Sequence, residues 1–217
     1  MKVFLSMLYY LYISILKYTF HYEYETNCFN RYLTKRRSNT NSKSKSYSIG
    51  ISLWKDDADF IYGALRNIQL ANLFFPKWSV RVYIPVNLLN KDELFVEKNI
   101  IQKMKSLGAD IVYIDLKQIF IPVHLITSLI ADEENITHFM IRDARHRLNE
   151  CDVKDTNDFM EANKSIHFVK YDKNYNGMNI LPYMWGANRQ KLMKSVGHSS
   201  MMKFIQVIAH YVSWHMH

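Results

Sequence analysis

The chain has 217 residues, with 28 Lys and Arg against 20 Asp and Glu, for a formal net charge of +8. Its hydrophobic content of 48% and aromatic content of 14% exclude wholesale disorder and collagen-like or low-complexity architectures, and the length is enough for one domain with a sizeable core. Two cysteines, Cys28 and Cys151, exclude a disulfide scaffold and a Cys-based zinc site, while a single bridge stays open.

The first segment is read as an address to a membrane. Lys2 precedes an uncharged apolar and aromatic run over residues 3–16, a length that suits a signal-peptide core better than a bilayer span. Residues 18–24 are bulky and offer no small-x-small cleavage site, so an uncleaved signal anchor is also open. Lys17, Arg31 and the basic residues 35–37 follow the run, and the positive-inside rule opposes the simplest anchored topology. The expectation is a signal peptide or signal anchor over residues 1–22, contact with the membrane through it, and a body in the ER or Golgi lumen, at its membrane, or secreted. Two glycosylation sequons, Asn135-Ile-Thr137 and Asn163-Lys-Ser165, suit that location but are about as many as chance supplies.

Residues 23–46 read as a linker. Arg31, Lys35, Arg36, Arg37, Lys43 and Lys45 occur with no acid between residues 31 and 46, so they carry six of the eight net charges. Ser and Asn fill the gaps, as in a solvated spacer. Nucleic-acid binding would need the charge on a folded face, so no nucleic-acid partner is expected.

The body, residues 47–217, alternates strands and helices. Residues 47–53 form a short β-rich run after the linker. Asp56, Asp57 and Asp59 suit a helix start, where the helix dipole favours acids. Phe60, Ala64, Ile68 and Ala71 follow at helical spacing, flanked by Ile61, Leu65 and Leu70, and Pro76 stops the helix. Residues 80–84 form a second strand, which Pro85 is expected to end. Residues 91–107 predict a helix with Leu94, Ile101 and Met104 on its apolar side and Gly108 as its C-terminal stop. Residues 109–116 predict a third strand. Residues 119–130 are apolar and predict a helix after Pro122. Residues 138–141 predict a fourth strand, running into Arg142 and Asp143. The chain ends at His217 just after an apolar stretch, an abruptness that suits a longer protein.

This alternation predicts an α/β domain with a mainly parallel central sheet and helices on both faces. Ligands of such sheets bind beyond the carboxyl ends of the strands. Arg142-Asp143-Ala144-Arg145-His146-Arg147 falls there. Asp143 suits a divalent cation such as Mn²⁺ or Mg²⁺, and the arginines suit phosphate oxygens. A solvated loop with an internal Asp–Arg pair is the plainer alternative.

The body resembles a divergent glycosyltransferase-like family with the GT-A (nucleotide-diphospho-sugar transferase) fold. Tyr47-Ser48-Ile49, with Gly63-Ala64-Leu65-Arg66-Asn67 and Leu70-Ala71, is similar to the family's first strand and helix. Phe75-Pro76-Lys77-Trp78-Ser79-Val80-Arg81-Val82-Tyr83 is similar to "FPxWxxRVY". Ala131-Asp132-Glu133 with residues 139–149 is similar to a segment containing "FIxRDxDSRLN". His167 and Met184-Trp185-Gly186 are similar to "FHxMRDHP" and "GGMWG". The resemblance covers residues 47–210.

It implies transfer of a sugar from a nucleoside-diphosphate sugar to a glycan or protein acceptor. It also implies roles: Asp143 as metal or ribose contact, Arg142 and Arg147 on the diphosphate, Asp152 on the acceptor, and Trp185 with Gly186 lining the sugar pocket. The chain departs from the pattern at its polar positions. Arg145 stands at the second acid of the Asp-x-Asp motif. The Arg-Glu pair reads Cys151-Asp152, and "RDHP" reads Lys170-Tyr171-Asp172-Lys173. Pro182 and Tyr183 replace two glycines. Two expectations follow: an enzyme in which Arg145 supplies fixed charge to the leaving diphosphate, and a binding protein with an inactive pocket. A ligand role for His215 or His217 is outweighed by fraying at the terminus, and Met193, Met201 and Met202 are expected in the core.

Overall fold

The computed structural model describes residues 46–54, 57–86, 96–119, 121–170 and 180–214. The leader over residues 1–22, nearly all of the linker, Asp56, Leu94, the "RDHP" counterpart after Lys170, the Pro182 and Tyr183 side chains, His215 and His217 lie outside what is described.

The first strand, β1 (Tyr47–Ser52), leads into helix α1 (Ala58–Phe74). Asp57 caps that helix by accepting from the Asp59 N–H at 2.9 Å, the role expected of an acid at a helix start. Phe60, Ala64, Ile68 and Ala71 are buried along it, as their spacing predicts. The amide of Phe75 still donates to the Ala71 carbonyl at 2.8 Å, and Pro76 follows directly.

Strand β2 (Ser79–Val86) runs through Pro85 instead of ending before it. The neighbouring β1 pairs only as far as Ser52 opposite Tyr83, and the Tyr83 carbonyl points toward β1, where it accepts from Leu53. Pro85, two residues on, has its missing N–H directed to that same side, past the end of β1. On the other side β2 continues its register with Ile114 and Asp115. A proline costs no ladder bond there.

Helix α2 (Lys98–Ser106) buries Ile101 and Met104 and stops at Gly108, whose φ of +91° is accessible to glycine at low cost. Strand β3 (Ala109–Asp115) follows. The apolar run after Pro122 is a 3₁₀ helix (Val123–Asp132), with i to i+3 bonds at both ends: Leu125 to the Pro122 carbonyl and Glu133 to that of Ile130. Then come β4 (His138–Arg142), α3 (Glu150–Glu161), β5 (Ile166–Lys170), β6 (Ile180–Asn188), α4 (Arg189–Val196) and α5 (Met201–Trp214).

The strands form one six-stranded sheet in the order β3-β2-β1-β4-β6-β5. The first four in that order are parallel; β6 lies antiparallel to both β4 and β5. The sheet separates two apolar layers. On β4, Met140 faces a layer with α1, α2 and α3, while Phe139 and Ile141 face one with the 3₁₀ helix, α4 and α5. This is the expected α/β architecture with a mainly parallel sheet and helices on both faces. Phe159, Met184 and Trp185 are buried in it, with Met201 and Met202. Among the described residues, no helix is long and apolar enough to cross a membrane.

Candidate functional site

β1 sits between β2 and β4, so the chain leaves it in one direction along the sheet and later returns on its other side. Such a reversal opens a crevice beyond the strands' carboxyl ends. A small cleft lies there, with a cavity volume of about 10 Å³, room for about one water, lined by Ser52, Trp54, Phe60, Thr127, Ile141, Arg142, Asp143 and Ala144.

The loop leaving β4 is shaped by its own side chains. Asp143 Oδ1 accepts from the Arg145 N–H at 2.8 Å, and the His146 N–H donates to the Asp143 carbonyl at 3.1 Å, which winds the chain into a tight turn. The Arg145 guanidinium returns to the same carboxylate, with Nε at 3.2 Å and Nη2 at 3.0 Å. Its Cζ lies 4.5 Å from the centroid of the Phe60 ring, a cation–π contact, and Trp54 meets Phe60 edge-on. The Arg145 side chain is nevertheless 56% exposed and that of Asp143 18%, so solvent weakens the pair. Arg147 Nη1 braces the turn, donating to the carbonyls of Ala144 at 3.0 Å and Arg145 at 2.9 Å.

Helix α1 supplies the support. Asn67 is fully buried; its Nδ2 donates to the carbonyls of His146 (2.8 Å), Ala144 (3.0 Å) and Asp143 (3.4 Å), and its Oδ1 accepts from the Leu148 N–H at 3.1 Å. One turn earlier, a Cβ on Gly63 would stand 2.3 Å from the Ala144 carbonyl oxygen, so only glycine lets the loop lie this close to the helix. Sequence reasoning gave neither residue a role in the site. The available signal was a Gly and an Asn spaced i, i+4 within an apolar helical stripe.

Below the loop, Arg142 is buried and faces Asp152. Its Nε is 3.3 Å from Asp152 Oδ1, and its Nη1 donates to the Ile141 carbonyl at 3.0 Å and the Trp185 carbonyl at 3.5 Å. Burial lowers the Arg142 pKa, and Asp152 works against that shift. The second oxygen of Asp152 accepts from the Asn149 N–H at 3.1 Å, while the Asn149 side chain accepts from the N–H groups of Cys151 and Asp152, a capping box for α3. His167, on β5, stacks on Phe159, and burial followed by the Arg142 charge lowers its pKa.

The expected site residues thus fall into three settings. Asp143, Arg145 and Arg147 share the loop after β4, and of the three Asp143 lines the cleft. Arg142 reaches the cleft wall but is paired with Asp152 beneath it, and both oxygens of Asp152 already accept hydrogen bonds. Trp185 and Gly186 lie in the sheet: Trp185 packs edge-on against Phe139, and a Cβ on Gly186 would stand 2.7 Å from the Phe139 carbonyl oxygen. Ser52, Trp54, Phe60 and Thr127 line the cleft without having been singled out for it. Among the described residues no three His, Cys, Asp or Glu side chains gather as a metal site, and the Asp143 carboxylate is paired with Arg145.

No protein-family model matches the chain, and no curated protein matches it.

Proposed function

We propose that this chain is a glycosyltransferase-like protein with the GT-A fold that binds a nucleoside-diphosphate sugar over the small cleft beyond β1 and β4 and transfers the sugar to a glycan or protein acceptor. The observation that carries the reading is the position of the loop after β4, whose Asp143 and Ala144 line, beside Arg142, the crevice where the strand order reverses. The motifs quoted for the body support it as well. In this proposal Arg145 leaves Asp143 to meet the diphosphate, and the exposed part of Arg147 assists. Asp143, once released, accepts a hydroxyl of the donor. Arg142 and Asp152 hold the cleft wall from beneath. The bond from the anomeric carbon to the diphosphate oxygen breaks, an acceptor oxygen takes its place and releases its proton, and the diphosphate departs with its charge met by arginine. Delivery to the secretory lumen by residues 1–22 belongs to the same reading.

The test is thermal stability of the full chain against UDP- and GDP-sugars, with and without manganese. Stabilisation without metal, lost in Arg145→Ala, is the expected result. Stabilisation only with manganese would replace the arginine mechanism by a metal-dependent one. No shift with any donor would remove the proposal.

A second reading, binding without turnover, is favoured by one observation: the carboxylates of Asp143 and Asp152 are both held by arginines. Stabilisation by a donor that is neither hydrolysed nor transferred in the presence of glycan and protein acceptors would select it.

A further inference from the structure

We propose that Asn67 is the positioning residue for the loop after β4, fixing the path of residues 143–148 before a ligand arrives, so that anion recognition depends on a side chain that does not line the cleft. The inference rests on the nucleotide-sugar reading for the identity of the anion, but not for the loop geometry.

Asparagine is a poor residue for a helix interior, because its side chain competes for backbone groups. Here that competition is turned outward. The Nδ2 hydrogens are directed at three successive loop carbonyl positions, Asp143, Ala144 and His146, and Oδ1 takes the Leu148 N–H. Two N–H groups serve three acceptors, and the 3.4 Å contact to Asp143 is the longest of them. Asn67 is fully buried, so water cannot take over these bonds. An aspartate of the same shape would turn an oxygen toward carbonyl oxygens. Gly63, one helical turn away, lacks the Cβ that would stand 2.3 Å from the Ala144 carbonyl oxygen. The two positions together make one edge of α1 a template for a loop some eighty residues further along the chain, where Asn67 and Leu148 are 81 positions apart. Arg145 hangs from that template: its N–H is fixed by the turn, and its half-exposed guanidinium pairs with Asp143 over the Phe60 ring.

The test uses the full chain carrying Asn67→Asp or the milder Asn67→Ser, which keeps one short donor. Amide hydrogen exchange reads the loop, and calorimetric titration with UDP and GDP reads the anion site. The expected result for Asn67→Asp is exchange at residues 143–148 at least about tenfold faster with the remaining sheet unchanged, and nucleotide affinity about tenfold weaker, with Asn67→Ser between it and the parent. Unchanged loop exchange overturns the inference. So does faster exchange with undiminished affinity, which would leave the nucleotide reading intact. If the parent chain binds neither nucleotide, that reading falls, and loop exchange alone decides whether Asn67 is the template. Failure of both variants to fold would make Asn67 a general core residue and overturn the inference as well.

Discussion

The buried pair beneath the cleft offers a sharp test of what holds the end of β4. Replacing Arg142 by Met removes the guanidinium and leaves Asp152 charged in a site where its side chain is 4% exposed. At the 3.3 Å separation, the attraction is about 5 kcal/mol for an effective dielectric of about 20. Desolvating two ions costs several kcal/mol each, so the intact pair contributes little net stability. Breaking it is different, because the surviving ion has already lost its water. Arg142→Met should therefore cost about 3–5 kcal/mol. Asp152→Asn should cost a similar amount, since keeping the amide oxygen on the Asn149 N–H turns Nδ2 donors toward the guanidinium. The double variant leaves no unpaired charge and should cost about as much as either single change, giving a coupling of at least about 2 kcal/mol. Urea unfolding at pH 7 with a constant m-value measures all four corners of the cycle. Double-variant losses equal to the sum of the singles within about 0.5 kcal/mol would refute the pairing argument.

Two further outcomes follow from the same geometry. Gly63→Ala gains about 1 kcal/mol of helix propensity but places a Cβ 2.3 Å from the Ala144 carbonyl oxygen, an overlap worth about 1–3 kcal/mol, so the thermal midpoint should fall or stay level and exchange at residues 143–148 should rise; a more stable variant with an unchanged loop would contradict the close approach. Burial lowers the pKa of His124, in the 3₁₀ helix, from 6.5 to about 4. The unfolded chain then takes up this proton first, so the contribution of His124 is complete above pH 6.5 and is lost as pH falls toward 4, by about 3 kcal/mol at full extent. Urea midpoints from pH 7 to 4 should decline less steeply in His124→Gln than in the parent, and parallel declines would contradict it.

Much of the parallel half of the sheet was legible because its strands are short β-rich runs bounded by prolines, glycines and an aspartate cap. The stop expected at Pro85 failed because the cost of a proline depends on which neighbour its missing N–H would face, and that is set by the length of β1. The helix expected after Pro122 is 3₁₀, a distinction the sequence did not carry because a segment buried on all sides shows no periodicity by which to choose. Strand β6 was not read at all. It contains Pro182 and Gly186, both breakers in isolation, and Gly186 is explained only by the Phe139 carbonyl of the adjoining strand. At the site, the polar loop was visible as charge following an apolar strand. The division of its arginines was not, because it depends on where β4 ends: the strand includes Arg142, whose side chain thereby shares the inner face of Met140, while Arg145 lies beyond it.

The central place of β4 also dictates when the cleft comes into being. The joint between Ser46 and Thr137 spans 91 positions, so β4 reaches its place beside β1 only by closing a long loop. Without β4 beside it, β1 has an unpaired flank and the cleft lacks Ile141 and Arg142. The rungs between β1 and β4 are thus long-range ones, of the kind that slow folding. Any small molecule that stabilises this cleft would bind only a chain in which β1 and β4 are joined, and would act as a latch on that long-range closure.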